Sequence, residues 1–142
     1  MEAGALDGPA QQAGAYDRPV TVLLVGVGGF FGAAARFLVD GWVSRATGGS
    51  FPFGTLLVNV SGTVLLGVLF ALAVERAALP SEIRAPVMIG FIGAYTTFST
   101  WMLESWRLIE DGALLAATLN LAGSIALGIV ALLVGLVIGR LV

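Results

Sequence analysis

The chain has 142 residues, of which 58% are hydrophobic and 11% are charged, and its formal net charge is −2. A soluble domain of this length needs far more charge to cover its surface, so this composition is typical of a protein surrounded by lipid. The absence of Cys and His excludes disulfides, thiolate nucleophiles, the commonest zinc ligands and the usual general base near neutral pH. The small net charge argues against nucleic acid as a partner.

Residues 1–18 precede the first apolar segment and are rich in Gly, Ala and Gln. They lack the basic start and the apolar stretch of a secretory signal, so they are predicted to form a disordered tail. Residues 19–142 are predicted to form one transmembrane domain.

Four apolar segments make up that domain, from about Val20 to Val39, Phe53 to Val74, Ala85 to Leu108, and Ala113 to Val142. Each holds roughly the 20 residues that a helix needs to cross a bilayer core. Only helices or closed barrels satisfy the backbone in lipid, and the segments lack the two-residue alternation of barrel strands. The sequence therefore predicts an all-α integral membrane protein with four transmembrane helices and short links.

The arginines are divided almost equally between the two sides of the membrane that four crossings define. One side carries four and the other three, namely Arg18, Arg76, Arg84 and Arg140 against Arg36, Arg45 and Arg107. An excess of cytoplasmic Arg and Lys normally fixes orientation. The near balance leaves two interpretations open, insertion in both orientations or a cytoplasmic N-terminus with a chance distribution of charge.

Small and polar residues recur every four positions in three of the segments, which places each set on one helix face. The sets are Gly28, Gly32 and Arg36; Thr55, Asn59, Thr63 and Gly67; and Asn120, Ser124 and Gly128. The Gly positions favour close helix packing. For Asn59 and Asn120, packing and a functional site remain equally open, because polar groups within a membrane are costly.

The third segment differs from the others at its centre, GFIGAYTTFSTW, Gly90 to Trp101. Its glycines weaken a helix and its hydroxyl side chains compete for backbone hydrogen bonds. We predict a helix broken around Ala94 to Thr97, with a Gly-kinked packing helix as the alternative. Unwound backbone at membrane depth must be buried in protein or line a wet cavity. Phe98 and Trp101 follow the break, and their ring edges carry partial positive charge, although packing is the commoner role of such a pair.

Three stretches resemble the signature motifs of the Fluc/CrcB fluoride channels, and they occur in the family's order. They are GGFFGAAAR (Gly28–Arg36), FGTLLVNVSG (Phe53–Gly62) and GFIGAYTTFSTW (Gly90–Trp101). The resemblance extends over about residues 26–139. It implies a fluoride-selective passive channel, and not an enzyme, that exports cytoplasmic fluoride and confers fluoride resistance. It also implies a multi-pass protein of the plasma (inner) membrane.

The resemblance further implies a set of pore residues, namely Asn59, Phe98, Ser99, Thr100, Trp101, Asn120 and Ser124. Phe98 would meet the ion with its ring edge, and Asn59 would donate an amide N–H to it. Trp101 departs from the family, which has a second Phe at this position, and Asn120 stands where the family usually has Tyr.

An antiparallel, dual-topology homodimer with two pores is the assembly that the resemblance implies, with fluoride and membrane lipid as the other partners. A structural sodium ion would lie at the dimer interface on the backbone carbonyls of Tyr95 and Thr96. Arg36, Thr55 and Glu104 match structural or vestibule positions. From the residues alone, Arg36 also fits an interfacial anchor and Glu104 an ion pair with Arg107 one turn on.

A dual-topology, proton-coupled exporter of the small multidrug resistance type is the main alternative function. Such coupling needs a titratable carboxylate deep in the membrane. The first segment has no acid before Asp40, and Glu104 is the only inner candidate. A membrane enzyme is disfavoured because no nucleophile and base can be paired.

Overall fold

The structure, a computed structural model, describes residues 19–142, and every regular element in this range is helical. The helices are α1 (Pro19–Thr47), α2 (Phe53–Glu75), α3 (81–95), α4 (Phe98–Glu110) and α5 (Leu114–Leu141). Wider π-helical turns occur at the end of α2 (Ala71–Glu75), within α3 (Ala85–Ile92) and within α5 (Leu119–Gly123). The disordered tail predicted for residues 1–18 lies outside the described residues.

Three of the helices, α1, α2 and α5, are long and apolar enough to cross a membrane. The third predicted span is divided into α3 and α4, so neither piece reaches the length of a bilayer-spanning helix. The all-helical architecture and the membrane-capable helices are confirmed. Four crossings require α3 and α4 to cross as one interrupted segment, which stays a prediction.

The first helix is longer than the sequence predicted. It continues past Val39 to Thr47, so most of the predicted link is helical. It stops where Gly48 and Gly49 adopt φ of 75° and 70°, a left-handed conformation that favours glycine. The prediction placed the boundary at the last apolar run, whereas the backbone continues until two glycines end it.

Close contact between α1 and α3 depends on glycines that leave room for a neighbouring backbone. A Cβ atom at Gly32 would overlap the carbonyl oxygen of Phe91, and a Cβ atom at Gly28 would overlap that of Pro86. The same arrangement joins α2 to α5, where a Cβ atom at Gly67 would lie 2.6 Å from the Leu132 carbonyl oxygen. The packing interpretation is confirmed for Gly28, Gly32 and Gly67, but not for Gly128, where a Cβ atom would meet nothing within 4 Å. The resulting framework fixes α3 against α1 just before the break.

Replacing Gly32 with Ala tests this packing, with Gly26→Ala as a matched control in the same helix. A side chain at Gly26 meets nothing within 4 Å. We expect Gly32→Ala to lower the free energy of unfolding by about 1–3 kcal/mol, because the backbone of α3 must move away. Gly26→Ala should leave it unchanged or raise it slightly. Unfolding by SDS in mixed micelles measures both, and equal stability of the two variants would contradict the packing assignment.

Candidate functional site

The break in the third segment lies at Thr96 and Thr97. The α3 helix ends at Tyr95, Thr96 has φ −78° and ψ 156°, Thr97 has φ −146° and ψ 120°, and α4 begins at Phe98. Both threonines are extended, so the backbone leaves the helical path for two residues. The predicted interruption between residues 94 and 97 is therefore confirmed, and the Gly-kinked continuous helix is wrong.

Asn59 of α2 satisfies the backbone of the break with both ends of its side-chain amide. Its Oδ1 accepts from the Thr97 N–H at 2.7 Å, and its Nδ2 donates to the Thr97 carbonyl at 3.0 Å. Thr97 is buried, and an unpaired backbone group there would be costly. An amide nitrogen carries two hydrogens, so Asn59 keeps one further N–H for another acceptor.

Thr97 in turn caps the start of α4. Its side-chain oxygen accepts from the Thr100 N–H at 3.3 Å and donates to Thr100 Oγ1 at 3.0 Å. This is the usual way in which a Thr satisfies a free N–H in the first turn of a helix. The break is thus stabilised by hydrogen bonds with the side chain of Asn59 in α2 and with the side chain of Thr97 itself.

A cavity of about 450 Å³ opens beside the break, between α2, α4 and α5. The predicted pore residues Asn59, Phe98, Trp101 and Ser124 all line it. Within residues 19–142, no side chain that lines it carries a formal charge. The remaining lining residues are Leu56, Val60, Gly62, Thr63, Leu66, Ile92, Thr96, Thr97, Ile125, Gly128, Ile129 and Leu132. We call it the uncharged cavity.

Two features of the uncharged cavity suit an electron-rich ligand. The rings of Phe98 and Trp101 meet edge to face, with centroids 5.5 Å apart and planes inclined by 65°. The Oγ of Ser124 is buried without a hydrogen-bond partner among the described residues. A free hydroxyl and positive ring edges together can attract an anion without a charged side chain.

A second cavity, of about 240 Å³, lies on the other side of Thr97 and contains both signs of charge. It is lined by Arg36, Phe37, Asp40, Thr55, Val58, Thr97 and Thr100. Thr97 contributes to both cavities, so the break separates a charged compartment from an uncharged one. We call this space the charged cavity.

Glu104 lies beside the charged cavity and is bonded to α2. Its Oε1 accepts from Thr55 Oγ1 at 2.9 Å, and its Oε2 is buried without a partner. The carboxylate of Glu104 thus makes its direct contact with Thr55, and not with Arg107 one turn on as the alternative had it. Thr55 belongs to α2, and the spacing of residues within α4 cannot reveal a partner on another helix.

Two predicted pore residues stand apart from both cavities. Ser99 is exposed, and Asn120 is 1% exposed and lies behind Trp101, with its carbonyl accepting from Trp101 Nε1 at 3.1 Å. Of the predicted cation ligands, Tyr95 is buried with its hydroxyl 3.0 Å from Ser61 Oγ, and Thr96 borders the uncharged cavity.

Three residues of this region were not among the site residues that the sequence predicted: Thr97, Asp40 and Ser105. The spacing of Thr97 and Thr100 is a helix-start signal that was available in the sequence. Asp40 directly follows the predicted end of the first segment at Val39, whereas in the structure α1 continues past it and Asp40 lines the charged cavity. Ser105 is buried and bonds Asn120 at 2.9 Å, a contact between helices that no local pattern shows.

Comparison with known proteins places residues 23–136 within a family described as CrcB-like protein, Camphor Resistance (CrcB). The chain is 46% identical over 125 residues to the fluoride-specific ion channel FluC of Methylococcus capsulatus, covering 85% of this chain and 53% of that relative. It is 42% identical to the FluC of Trichormus variabilis, covering 84% of this chain and 88% of the relative. For the FluC of Hahella chejuensis the identity is 40%, with coverages of 85% and 95%.

Replacing Asn59 with Leu tests the capping of the break. Leucine fills the space but leaves the N–H and carbonyl of Thr97 without partners, so we expect the free energy of unfolding to fall by about 2 kcal/mol or more. The matched control is Thr63→Val on the same helix, whose hydroxyl bonds only to the Asn59 carbonyl one turn away. SDS unfolding followed by circular dichroism measures both, and an Asn59→Leu protein as stable as the control would show that the cap contributes little.

Proposed function

The chain belongs to the CrcB-like family, and from this membership we propose that it is a fluoride-selective ion channel that conducts passively. It is a multi-pass membrane protein and not an enzyme. The proposed ion is the one that the names of its relatives state. Fluoride entering as neutral HF ionises in the cytoplasm, so a passive pore in the plasma (inner) membrane exports the trapped anion and confers fluoride resistance.

The observation that carries the proposal is the uncharged cavity beside the break. Fluoride is small and tightly hydrated, so a pore must replace its water with convergent donors and still release it. Asn59 offers its second amide N–H, Ser124 a hydroxyl without a partner, and Phe98 and Trp101 their ring edges. A fixed cation in this space would hold the anion too strongly, and the lining has none.

The charged cavity is proposed as the vestibule from which the ion enters. Among its described lining residues, Arg36 is the basic one and attracts an anion, whereas the carboxylate of Asp40 in the same cavity repels it. Thr100 presents a hydroxyl group, and that of Thr55 is bonded to Glu104. Thr97 separates the two spaces, so the proposed ion passes the capped break as it moves from the vestibule to the uncharged cavity.

We propose an antiparallel homodimer with two such pathways as the conducting form. In one chain Phe98 is 70% exposed and Ser99 is also exposed, beside the break. A second copy covering this surface would complete the pathway and bring Ser99 into it. The extended conformation of Thr96 turns its own carbonyl away from the helical path, and the carbonyl of Tyr95 lies in the last turn of α3, where helices leave carbonyls without intrahelical partners. Both carbonyls are therefore suited to hold a structural sodium ion between two copies.

The structure gives no support to the proton-coupled exporter. Its substrate cavity would require a carboxylate that titrates during transport. Among the described residues, the lining of the uncharged cavity contains none. The carboxylates near the break are Asp40, which lines the charged cavity with Arg36, and Glu104, which is bonded to Thr55 beside it.

Fluoride efflux from liposomes tests the proposed activity. Purified protein should release fluoride rapidly and chloride slowly, without a proton gradient, as followed with ion-selective electrodes. Phe98→Ile removes a ring edge and Asn59→Asp replaces an N–H donor with a negative charge, so each should reduce fluoride efflux by about tenfold or more.

Phe30→Ile is the matched control, because Phe30 is 68% exposed and lines neither cavity. Wild-type rates in both pore variants would refute the pore assignment, and chloride efflux as fast as fluoride efflux would refute selectivity.

Labelling of single cysteines added at each terminus tests the antiparallel dimer. Both termini should react from both sides of the membrane, since half of the chains insert in each orientation. Replacing sodium with N-methylglucamine should weaken the dimer, as measured by subunit exchange, if backbone carbonyls bind the ion. Labelling from one side only would exclude the antiparallel arrangement, and a dimer indifferent to sodium would exclude the cation site.

A further inference from the structure

The indole of Trp101 faces two surroundings at once. Its ring lines the uncharged cavity, whereas its Nε1–H donates to the backbone carbonyl of Asn120 at 3.1 Å. Asn120 does not line the cavity and is 1% exposed. The N–H edge of the ring is therefore turned away from the cavity and toward α5.

Two further hydrogen bonds close a ring between α4 and α5. Asn120 Nδ2 donates to Ser105 Oγ at 2.9 Å, and Ser105 Oγ donates to the Trp101 carbonyl at 2.8 Å. The Asn120 carbonyl also accepts the Ser124 N–H, which its two lone pairs permit. Asn120 is thus bonded to α4 twice: its side chain donates to Ser105, and its backbone carbonyl accepts from the indole of Trp101. We call this set of three bonds the indole clamp.

The burial of Asn120 carries an energetic cost, which indicates that its bond to Ser105 has a role. Asn120 Oδ1 is buried and has no hydrogen-bond partner among the described residues. An unpaired buried acceptor destabilises a protein, and an apolar side chain of similar size would avoid that cost. The burial is explained if the Nδ2 bond to Ser105 performs a task that an apolar side chain cannot.

We propose that Asn120 and Ser105 are positioning residues that fix the indole plane of Trp101, so that its N–H is used inside the protein and only its carbon edge meets the ion. This inference rests on the proposed function. Neither residue touches the ion; both act through Trp101.

The consequence of the clamp concerns selectivity. An indole N–H aimed into the cavity is a strong donor for any halide, chloride included. A ring edge attracts an anion more weakly and depends on close approach, which favours the smallest ion. Because Trp101 contacts Phe98 edge to face, fixing the indole also fixes the orientation of the two rings relative to each other. With its N–H bonded in the clamp, Trp101 presents only a carbon ring edge to the ion, as a Phe at this position would.

Nuclear magnetic resonance of the indole tests the clamp without relying on transport. The chain has three Trp, so Trp42→Phe and Trp106→Phe leave Trp101 as the only indole. In nanodiscs, its N–H should exchange with D₂O at least about tenfold faster in Asn120→Ala and in Ser105→Ala than in the parent. Titrated fluoride should shift the indole carbon-bound protons more than the N–H proton. A larger shift of the N–H, or unchanged exchange in both variants, would overturn the proposal.

Fluoride efflux in a double-mutant cycle tests the consequence. Asn120→Ala alone should slow fluoride efflux by about tenfold and reduce the fluoride-to-chloride ratio, whereas in a Trp101→Phe background it should change efflux by less than about twofold. Thr118→Ala, which removes an exposed hydroxyl bonded within α5, is the control and should leave both unchanged. An equal loss in the two backgrounds would assign Asn120 a role independent of the indole and overturn the clamp.

These two experiments separate the two proposals. A wild-type protein that releases no fluoride would refute the proposed function, while the exchange rate of the Trp101 N–H would still decide whether the clamp exists. Normal fluoride release with an unprotected Trp101 N–H would refute the clamp alone.

Discussion

The paired hydrogen bonds between Asn59 and Thr97 are the interaction on which the site depends. A helix interrupted in an apolar setting exposes backbone groups that water cannot reach, and each unpaired group is costly. Asn59 supplies both an acceptor and a donor, at 2.7 and 3.0 Å, so two residues of extended backbone become stable there. Because the break is stable, α4 begins at Phe98 with its own direction, and Phe98 and Trp101 face the space between α2 and α5. The cavity therefore depends on one side-chain amide that bonds both backbone groups of a single residue, Thr97.

The framework around the break divides its surroundings into two compartments of different polarity. Glycines allow α1 to approach α3 and α2 to approach α5 closely, which leaves α4 to fill the remaining side. Arg36 and Asp40 lie in one compartment, whereas the lining of the other has no charged side chain. In the proposed pathway, the ion is therefore attracted in the charged cavity and loses its water in the uncharged cavity. Arg36 attracts the anion in the charged cavity, and the weaker donors of the uncharged cavity replace its water afterwards.

Trp101 shows how a residue can line such a cavity while its strong N–H donor is bonded inside the protein. Its N–H is bonded to the Asn120 carbonyl, and Asn120 is held through Ser105. The same carbonyl accepts from the backbone of Ser124, whose own hydroxyl is unpartnered beside the cavity. Donors and acceptors are thus divided between those that hold the helices together and those left for a ligand, and the division is made by contacts between α4 and α5.

The sequence by itself determined the membrane class, the apolar segments and the position of the break, because these follow from local composition and from the conformational preferences of Gly and Thr. It also identified Asn59, Phe98, Trp101 and Ser124, which line one cavity, since motif and helical spacing carry that information. Only the tertiary structure decided where hydrogen bonds run between helices. The spacing of Glu104 suggested a partner on its own helix, yet its carboxylate accepts from Thr55 of α2. Periodicity left packing and a site equally open for Asn120, and the resemblance grouped it with pore residues, whereas in the structure it is buried behind the indole. Periodicity gives the face of a helix on which a residue lies, but the neighbour of that face depends on how closely the helices pack and in what order.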